Sequence, residues 1–96
     1  MNKITINETT YQFKSKWVAT SEGNFEDYDI LINGKKSNYE LQSGYWETSN
    51  RGKEQTYILF RNGYGTGCDV KNPQSIVDMA KVISMITYYE SLNNIN

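Results

Sequence analysis

Apolar residues recur at helical spacing near the end of the chain and predict one long amphipathic helix over 74–92. Asn72 is a strong N-cap residue and Pro73 suits a first helical position, so we expect the helix to begin there. An isolated helix of this length is only marginally stable in water, so its apolar stripe must pack against another element. The residues predicted to form this buried stripe are Ile76, Met79, Ala80, Ile83 and Ile86.

The chain before the helix alternates polar and apolar positions, which predicts β-strands. The clearest alternation covers 11–20, where Phe13 and Trp17 fall on one face and Lys14 and Lys16 on the other. This pattern is typical of a strand with one buried and one solvated face.

Turn signals separate the remaining strands. Asn33-Gly34 between two β-prone runs predicts a type I′ hairpin. Gly44 predicts a bulge, and 55–61 reads as a central strand. The stretches 22–27 and 62–69 are predicted to be loops.

Strands come first in this order and a single helix comes last. We therefore expect one domain over 1–96 of the α+β class: an antiparallel sheet of four or five strands with one long C-terminal helix packed on one face. No internal repeat is evident in the sequence.

The composition argues against several kinds of site. Histidine is absent and Cys68 is the only cysteine, so the commonest general base, the commonest metal ligand and any disulfide are missing. We therefore expect a protein that is not an enzyme and holds no cofactor and no metal. Ten basic against eleven acidic residues give a net charge of −1, without the basic excess usual for binding duplex DNA. With no apolar run after Met1, we expect neither a signal peptide nor a membrane span, and a cytoplasmic location.

The glycine-rich segment 63–67 invites comparison with phosphate-binding loops. Such a loop needs a helix that starts directly after it and a Lys that reaches the phosphate. Here the predicted helix begins several residues later and no Gly-Lys-Ser/Thr follows, so a loop or bulged connection is the favoured interpretation.

Acidic residues cluster at Glu22, Glu26, Asp27 and Asp29, with no Lys or Arg between Lys16 and Lys35. The spacing does not fit a calcium loop. Two interpretations stay open, a solvated loop and an electronegative patch for a basic partner surface. On the second, Glu26, Asp27 and Asp29 are candidate partner-binding residues.

The predicted helix has a second apolar face formed by Val82, Met85, Tyr89 and Leu92, with Tyr88 beside it. A helix on one sheet needs only one apolar stripe. Either other parts of the chain cover this face, or Val82, Met85 and Tyr89 bind a partner, which could be a second copy of the chain or a different protein.

The leading functional hypothesis is a small non-catalytic protein-binding module that acts by occluding its partner. In size, acidity and lack of catalytic residues the chain is similar to the inhibitors that phages and mobile elements direct at host nucleases or defence complexes. The alternative is a single-stranded nucleic-acid-binding domain whose sheet face combines aromatic residues with lysines. The basic residues for that alternative are Lys14, Lys16, Lys35, Lys36, Arg51 and Lys53.

Overall fold

A computed structural model describes residues 3–21, 23–48 and 52–93, which form one antiparallel sheet followed by one helix. The strands are hydrogen-bonded in chain order, so each strand is followed in space by the next strand in sequence. This confirms the α+β class with an antiparallel sheet and a C-terminal helix. The strands are β1 Lys3–Ile6, β2 Thr9–Thr20, β3 Gly23–Ile32, β4 Lys35–Thr48, β5 Gly52–Arg61 and β6 Tyr64–Val70, and the helix α1 is Ile76–Asn93.

The sheet has six strands, so the prediction of four or five was wrong. The reason lies in the glycine-rich stretch after β5, which forms a tight turn and then β6. Asn62 and Gly63 have φ angles of 53° and 83°, the left-handed pair that a two-residue type I′ turn requires. The turn reverses the chain directly, so the following residues pair with β5 and do not form a loop.

Two further connections differ from the prediction. β3 begins at Gly23 and pairs with β2 from Thr20↔Gly23 onward, so most of the predicted loop over 22–27 is strand. Glu22 lies outside the described residues. β5 begins at Gly52, earlier than the predicted start of this strand at 55.

The bulge predicted at Gly44 lies elsewhere on β4. The register between β4 and β5 is continuous through Gly44. The register shift is on the β3 side, between the pairs made by Asp29 and Leu31. There the Ser37 hydroxyl donates to the Ile30 carbonyl at 2.6 Å, in the position where a backbone N–H would otherwise lie.

α1 packs on one face of the sheet, and the core lies between them. Its buried residues are Met79, Val82, Ile83 and Ile86, at i, i+3, i+4 and i+7. Ile76, which was predicted to be buried, is 73% exposed, whereas Val82 is 0% exposed. The helix is therefore rotated about its axis from the predicted orientation, with its sheet-facing side centred closer to Ile86. The sheet residues of the core are Tyr11, Phe13, Tyr28, Ile30, Tyr39, Leu41, Leu59, Cys68 and Val70.

Ser75 is the N-cap of α1, so the prediction that Asn72 would cap it was wrong. Ser75 Oγ accepts the Asp78 N–H at 3.1 Å, the usual capping bond to the third helical residue. Asn72 instead closes a turn just before the helix, because its carbonyl accepts the Ser75 N–H and its side chain accepts the Gln74 N–H.

Candidate partner-binding site

An open groove of about 630 Å³ runs between strand β6 and helix α1. The helix packs closest to β6, so the two walls of the groove are an edge strand and a helix face. Most of its exposed lining is apolar. The lining residues are Gly67, Cys68, Asp69, Lys81, Ser84, Met85 and Tyr88.

β6 is an edge of the sheet, with β5 on one side and no strand of the described chain on the other. The two-residue turn makes Arg61 and Tyr64 a hydrogen-bonded pair, and in an antiparallel ladder the residues alternate between facing the partner strand and facing away. The backbone N–H and C=O groups of Gly65 and Asp69 therefore point away from β5. The groups of Asp69 lie in the wall of the groove, and those of Gly65 lie farther along the same edge.

Lys81 reaches across the groove from the helix to this edge. Its Nζ donates to the Asp69 carbonyl oxygen at 2.6 Å and lies 3.9 Å from Asp69 Oδ1. Both side chains are about half exposed, so water screens the ion pair and it contributes little to stability. Covering a strand edge with groups from a helix is one way in which proteins protect it against pairing with another strand.

Cys68 lies in the floor of the groove and is nearly buried. Burial raises the pKa of its thiol, and the nearby Lys81 only partly opposes this effect. A protonated thiol is a poor nucleophile and a poor metal ligand, so the side chain acts as a small apolar group here.

The predicted acidic cluster is divided between different environments. Asp27 is 9% exposed, and its Oδ1 accepts the backbone N–H and the hydroxyl of Ser43 at 2.9 and 3.1 Å. Glu26 is half-buried beside the hydroxyl of Tyr28 at 3.4 Å. Asp29 is held in an ion pair with Lys16. Asp27 thus joins β3 to β4, and the cluster does not form one open acidic patch.

Asp29 belongs to a charge cluster on the face of the sheet that α1 does not cover. Lys16 Nζ lies 2.8 Å from both Asp29 Oδ1 and Glu40 Oε2. The hydrogen bonds to Asp29 and then Glu40 raise the pKa of Lys16. Burial by itself raises the pKa of Glu40, but the bonds from Lys16 and Gln42 outweigh it and the pKa is lowered. The cluster links β2, β3 and β4, because the positive charge of Lys16 is shared between the carboxylates of Asp29 and Glu40.

The second apolar face of the helix is also divided. Val82 is in the core and cannot reach a partner without opening the fold. Met85 and Tyr89 are partly buried against the core. Met85 lines the groove, whereas Tyr89 lies under the guanidinium of Arg61, whose Cζ is 4.9 Å from the ring centroid. Only Met85 of these candidates is in the groove.

Lysines and aromatic residues lie on opposite faces of β2. Phe13 is buried against the helix and Trp17 is on the same side of the strand, while Lys14 and Lys16 alternate with them on the other face. Arg51 lies outside the described residues, as does the side chain of Lys53. On β2, therefore, the aromatic rings and the positive charges do not share a surface.

The sequence alone did not identify Lys81, Ser84 and Tyr88 as residues of one site. A lysine and a serine on a helix are normally solvated, so their spacing carries no signal for a groove. Tyr88 is 56% exposed, and its position beside the second apolar face was the only sequence indication. The groove depends on the position of β6, and the sequence predicted only a loop or bulged connection there.

The comparisons with known proteins add no family or relative. No family model, curated protein or solved structure matches the chain. Within residues 3–21, 23–48 and 52–93, no group of three or more potential ligand side chains could hold a metal ion. The same part of the chain has no helix long and apolar enough to cross a membrane.

Proposed function

We propose that the chain is a non-catalytic module that binds a protein partner in the groove between β6 and α1. The observation that carries the proposal is the unpaired strand edge beside an apolar-lined groove. A protein offers backbone groups and apolar side chains together, which are what the two walls of this groove would bind. Tyr88 and Met85 are of the residue types enriched at such interfaces.

Binding of single-stranded nucleic acid has less support. The lysines of β2 are opposite its aromatic residues, and Lys16 is already paired with Asp29 and Glu40. A stacking platform needs aromatic rings and free positive charge along one track.

The hypothesis that the partner is a host nuclease or defence complex rests on the size, acidity and composition of the chain. Occlusion by a small domain requires only a tight contact at one site and no chemistry. If it is correct, the purified chain should inhibit its target nuclease stoichiometrically and without turnover.

The proposal is tested by affinity capture from cells of the source organism with the tagged chain, in nuclease-treated extract. The captured protein is then purified and its Kd for the chain measured by calorimetry. We expect a stoichiometric complex that survives nuclease treatment. The proposal is wrong if capture is lost with nuclease and a labelled oligo-dT binds with a steep salt dependence.

A further inference from the structure

We infer that the groove takes an extended peptide segment of the partner, which pairs with β6 as a seventh strand and places an apolar side chain against α1. This inference rests on the proposed function and specifies the form and chemistry of the partner at the same site. It follows from three features of the groove: its backbone wall, its helix wall and Lys81.

The backbone wall selects an extended chain. The N–H and C=O groups of Asp69 point away from β5 into the groove, and those of Gly65 point away from β5 farther along the same edge, where no described strand lies. Only another extended backbone presents donors and acceptors at the matching spacing. A helix satisfies its own backbone groups and would leave this edge unpaired.

The helix wall selects the side chains. Residues of an added strand point alternately to the two faces of the sheet, and those on the α1 side meet Met85 and Tyr88. Cys68, protonated and nearly buried, completes an apolar floor. The peptide therefore needs an apolar residue at the position that faces the helix.

Lys81 adds a preference for negative charge. Strand addition supplies a peptide N–H to the Asp69 carbonyl and releases the Lys81 ammonium that occupies this oxygen at 2.6 Å. The released ammonium then lies beside the bound peptide, where a carboxylate would form a charge-assisted hydrogen bond with it. We therefore expect an acidic residue in the peptide near Lys81.

A second copy of the chain fits this edge less well. The register of β6 shifts after Gly65, and Gly67 at that shift has a φ of 82°. A bulge bends an edge strand, which opposes regular pairing between two copies of the same strand. A short flexible peptide can follow the bend.

The first test uses a phage-displayed library of random linear octapeptides, selected on the full chain. Enriched peptides are synthesised, and their Kd is measured by fluorescence anisotropy. We expect Tyr88→Glu and Gly65→Pro to weaken binding by about tenfold or more. Val77→Glu is the matched control, because Val77 is on the same helix, is 78% exposed and does not line the groove. It should retain the wild-type Kd within about twofold.

The second test distinguishes strand addition from other binding in the groove and does not depend on the proline variant folding. Amide exchange of the Asp69 N–H is followed by NMR with and without a saturating enriched peptide. Pairing should slow this exchange by about tenfold or more, because the amide gains a backbone acceptor. In Lys81→Met, selection should no longer enrich acidic residues. Unchanged Asp69 exchange with a bound peptide would overturn the inference.

The failure of the inference can be told from failure of the proposed function. If Tyr88→Glu weakens binding of the captured protein but the Asp69 amide exchanges at an unchanged rate in the complex, strand addition is wrong and binding of a protein in the groove stands. If Tyr88→Glu leaves the Kd of the captured protein unchanged, the groove is not the binding site and both are wrong. If sedimentation velocity gives a dimer that Tyr88→Glu dissociates and Val77→Glu does not, the occupant is a second copy and the peptide inference is wrong. If neither a protein nor a peptide binds, both are wrong.

Discussion

Ser37 and Thr66 make the same pair of hydrogen bonds at equivalent positions of two hairpins. Ser37 Oγ donates to the Ile30 carbonyl and accepts the Tyr39 N–H, at 2.6 and 3.2 Å. Thr66 Oγ1 makes the corresponding bonds within the β5–β6 hairpin, at 2.8 and 3.2 Å. Each hydroxyl stands in for the backbone at a register shift that follows an Asn-Gly turn. The fold thus repeats a structural unit that the sequence does not show as a repeat.

Thr66→Val should lower the free energy of unfolding by about 1–3 kcal/mol, because the Leu59 carbonyl loses its donor while the side chain keeps its shape. Urea denaturation measures the change. Thr87→Val is a suitable control, since the Thr87 hydroxyl only bonds back to the Ile83 carbonyl within an already paired helix. Equal losses in the two variants would contradict a special role for the bulge hydroxyl.

Ser75→Ala should cost about 1 kcal/mol of stability through the lost N-cap, within the range of ~0.5–2 measured for such caps. Asn72→Ala should cost less, because the Asn72 side chain makes one 3.2 Å bond in the preceding turn. The stabilities of the two variants are compared by their urea midpoints, provided that m, the slope of the unfolding free energy against urea concentration, is the same in both. A larger loss in Asn72→Ala would mean that the helix starts at the earlier position.

Two isoleucines of the same helix provide a matched pair. Ile86→Ala should destabilise by about 2–5 kcal/mol, since it leaves a cavity between α1 and the sheet. Ile76→Ala should change stability by less than about 0.5 kcal/mol, because its side chain is largely in solvent. Similar large losses in both variants would show that the helix has the orientation that the sequence pattern predicted, with both isoleucines buried.

Tyr39 should make the fold sensitive to alkali. Burial, followed by the 2.7 Å hydrogen bond to Glu90, raises the pKa of Tyr39 from 10.0 to about 12. The folded state therefore holds this proton more tightly than the unfolded state. Its stabilising contribution is complete below pH 10.0 and is lost as the pH rises toward 12.

Tyr39→Phe removes this part of the pH dependence, so its stability should fall less than that of the wild type between about pH 9 and about pH 11. Part of the decline should remain, because burial also raises the pKa of Tyr28 and Tyr57. Urea midpoints at the two pH values measure the loss of stability. An identical loss in Tyr39→Phe and in the wild type would show that Tyr39 does not cause the sensitivity to alkali.

Glu40 should make the stability of the fold depend on pH in the acidic range. The pKa of Glu40 in the folded state is lowered from 4.5. Its contribution to the free energy of unfolding is therefore present above pH 4.5 and is lost as the pH falls through the lowered pKa of the folded state. Glu40→Gln keeps the shape but cannot form the ion pair with Lys16, so its urea midpoint should change less between about pH 6 and about pH 3. Parallel pH profiles would show that the pair contributes nothing measurable.

The sequence by itself determined the class of the fold. The alternation in β2, the Asn33-Gly34 turn and the apolar periodicity of the C-terminal segment each depend on local geometry. An antiparallel sheet with a packed C-terminal helix follows from them. These signals are local because a residue and its neighbours fix the turn type and the period of exposure.

Tertiary structure decided what the local pattern left open. The helix has two apolar faces, and only packing on the sheet determined that Val82 is inside and Ile76 is outside. The Gly65-Thr66-Gly67 segment lies within a strand because it is flanked by residues paired with β5 and the Thr66 hydroxyl bonds to the Leu59 carbonyl, and these contacts outweigh the low strand propensity of glycine. The groove follows from both outcomes, since it exists only where α1 lies beside the β6 edge. The free energy that decides these outcomes comes from contacts between residues distant in sequence, so it cannot be read from the pattern of neighbouring residues.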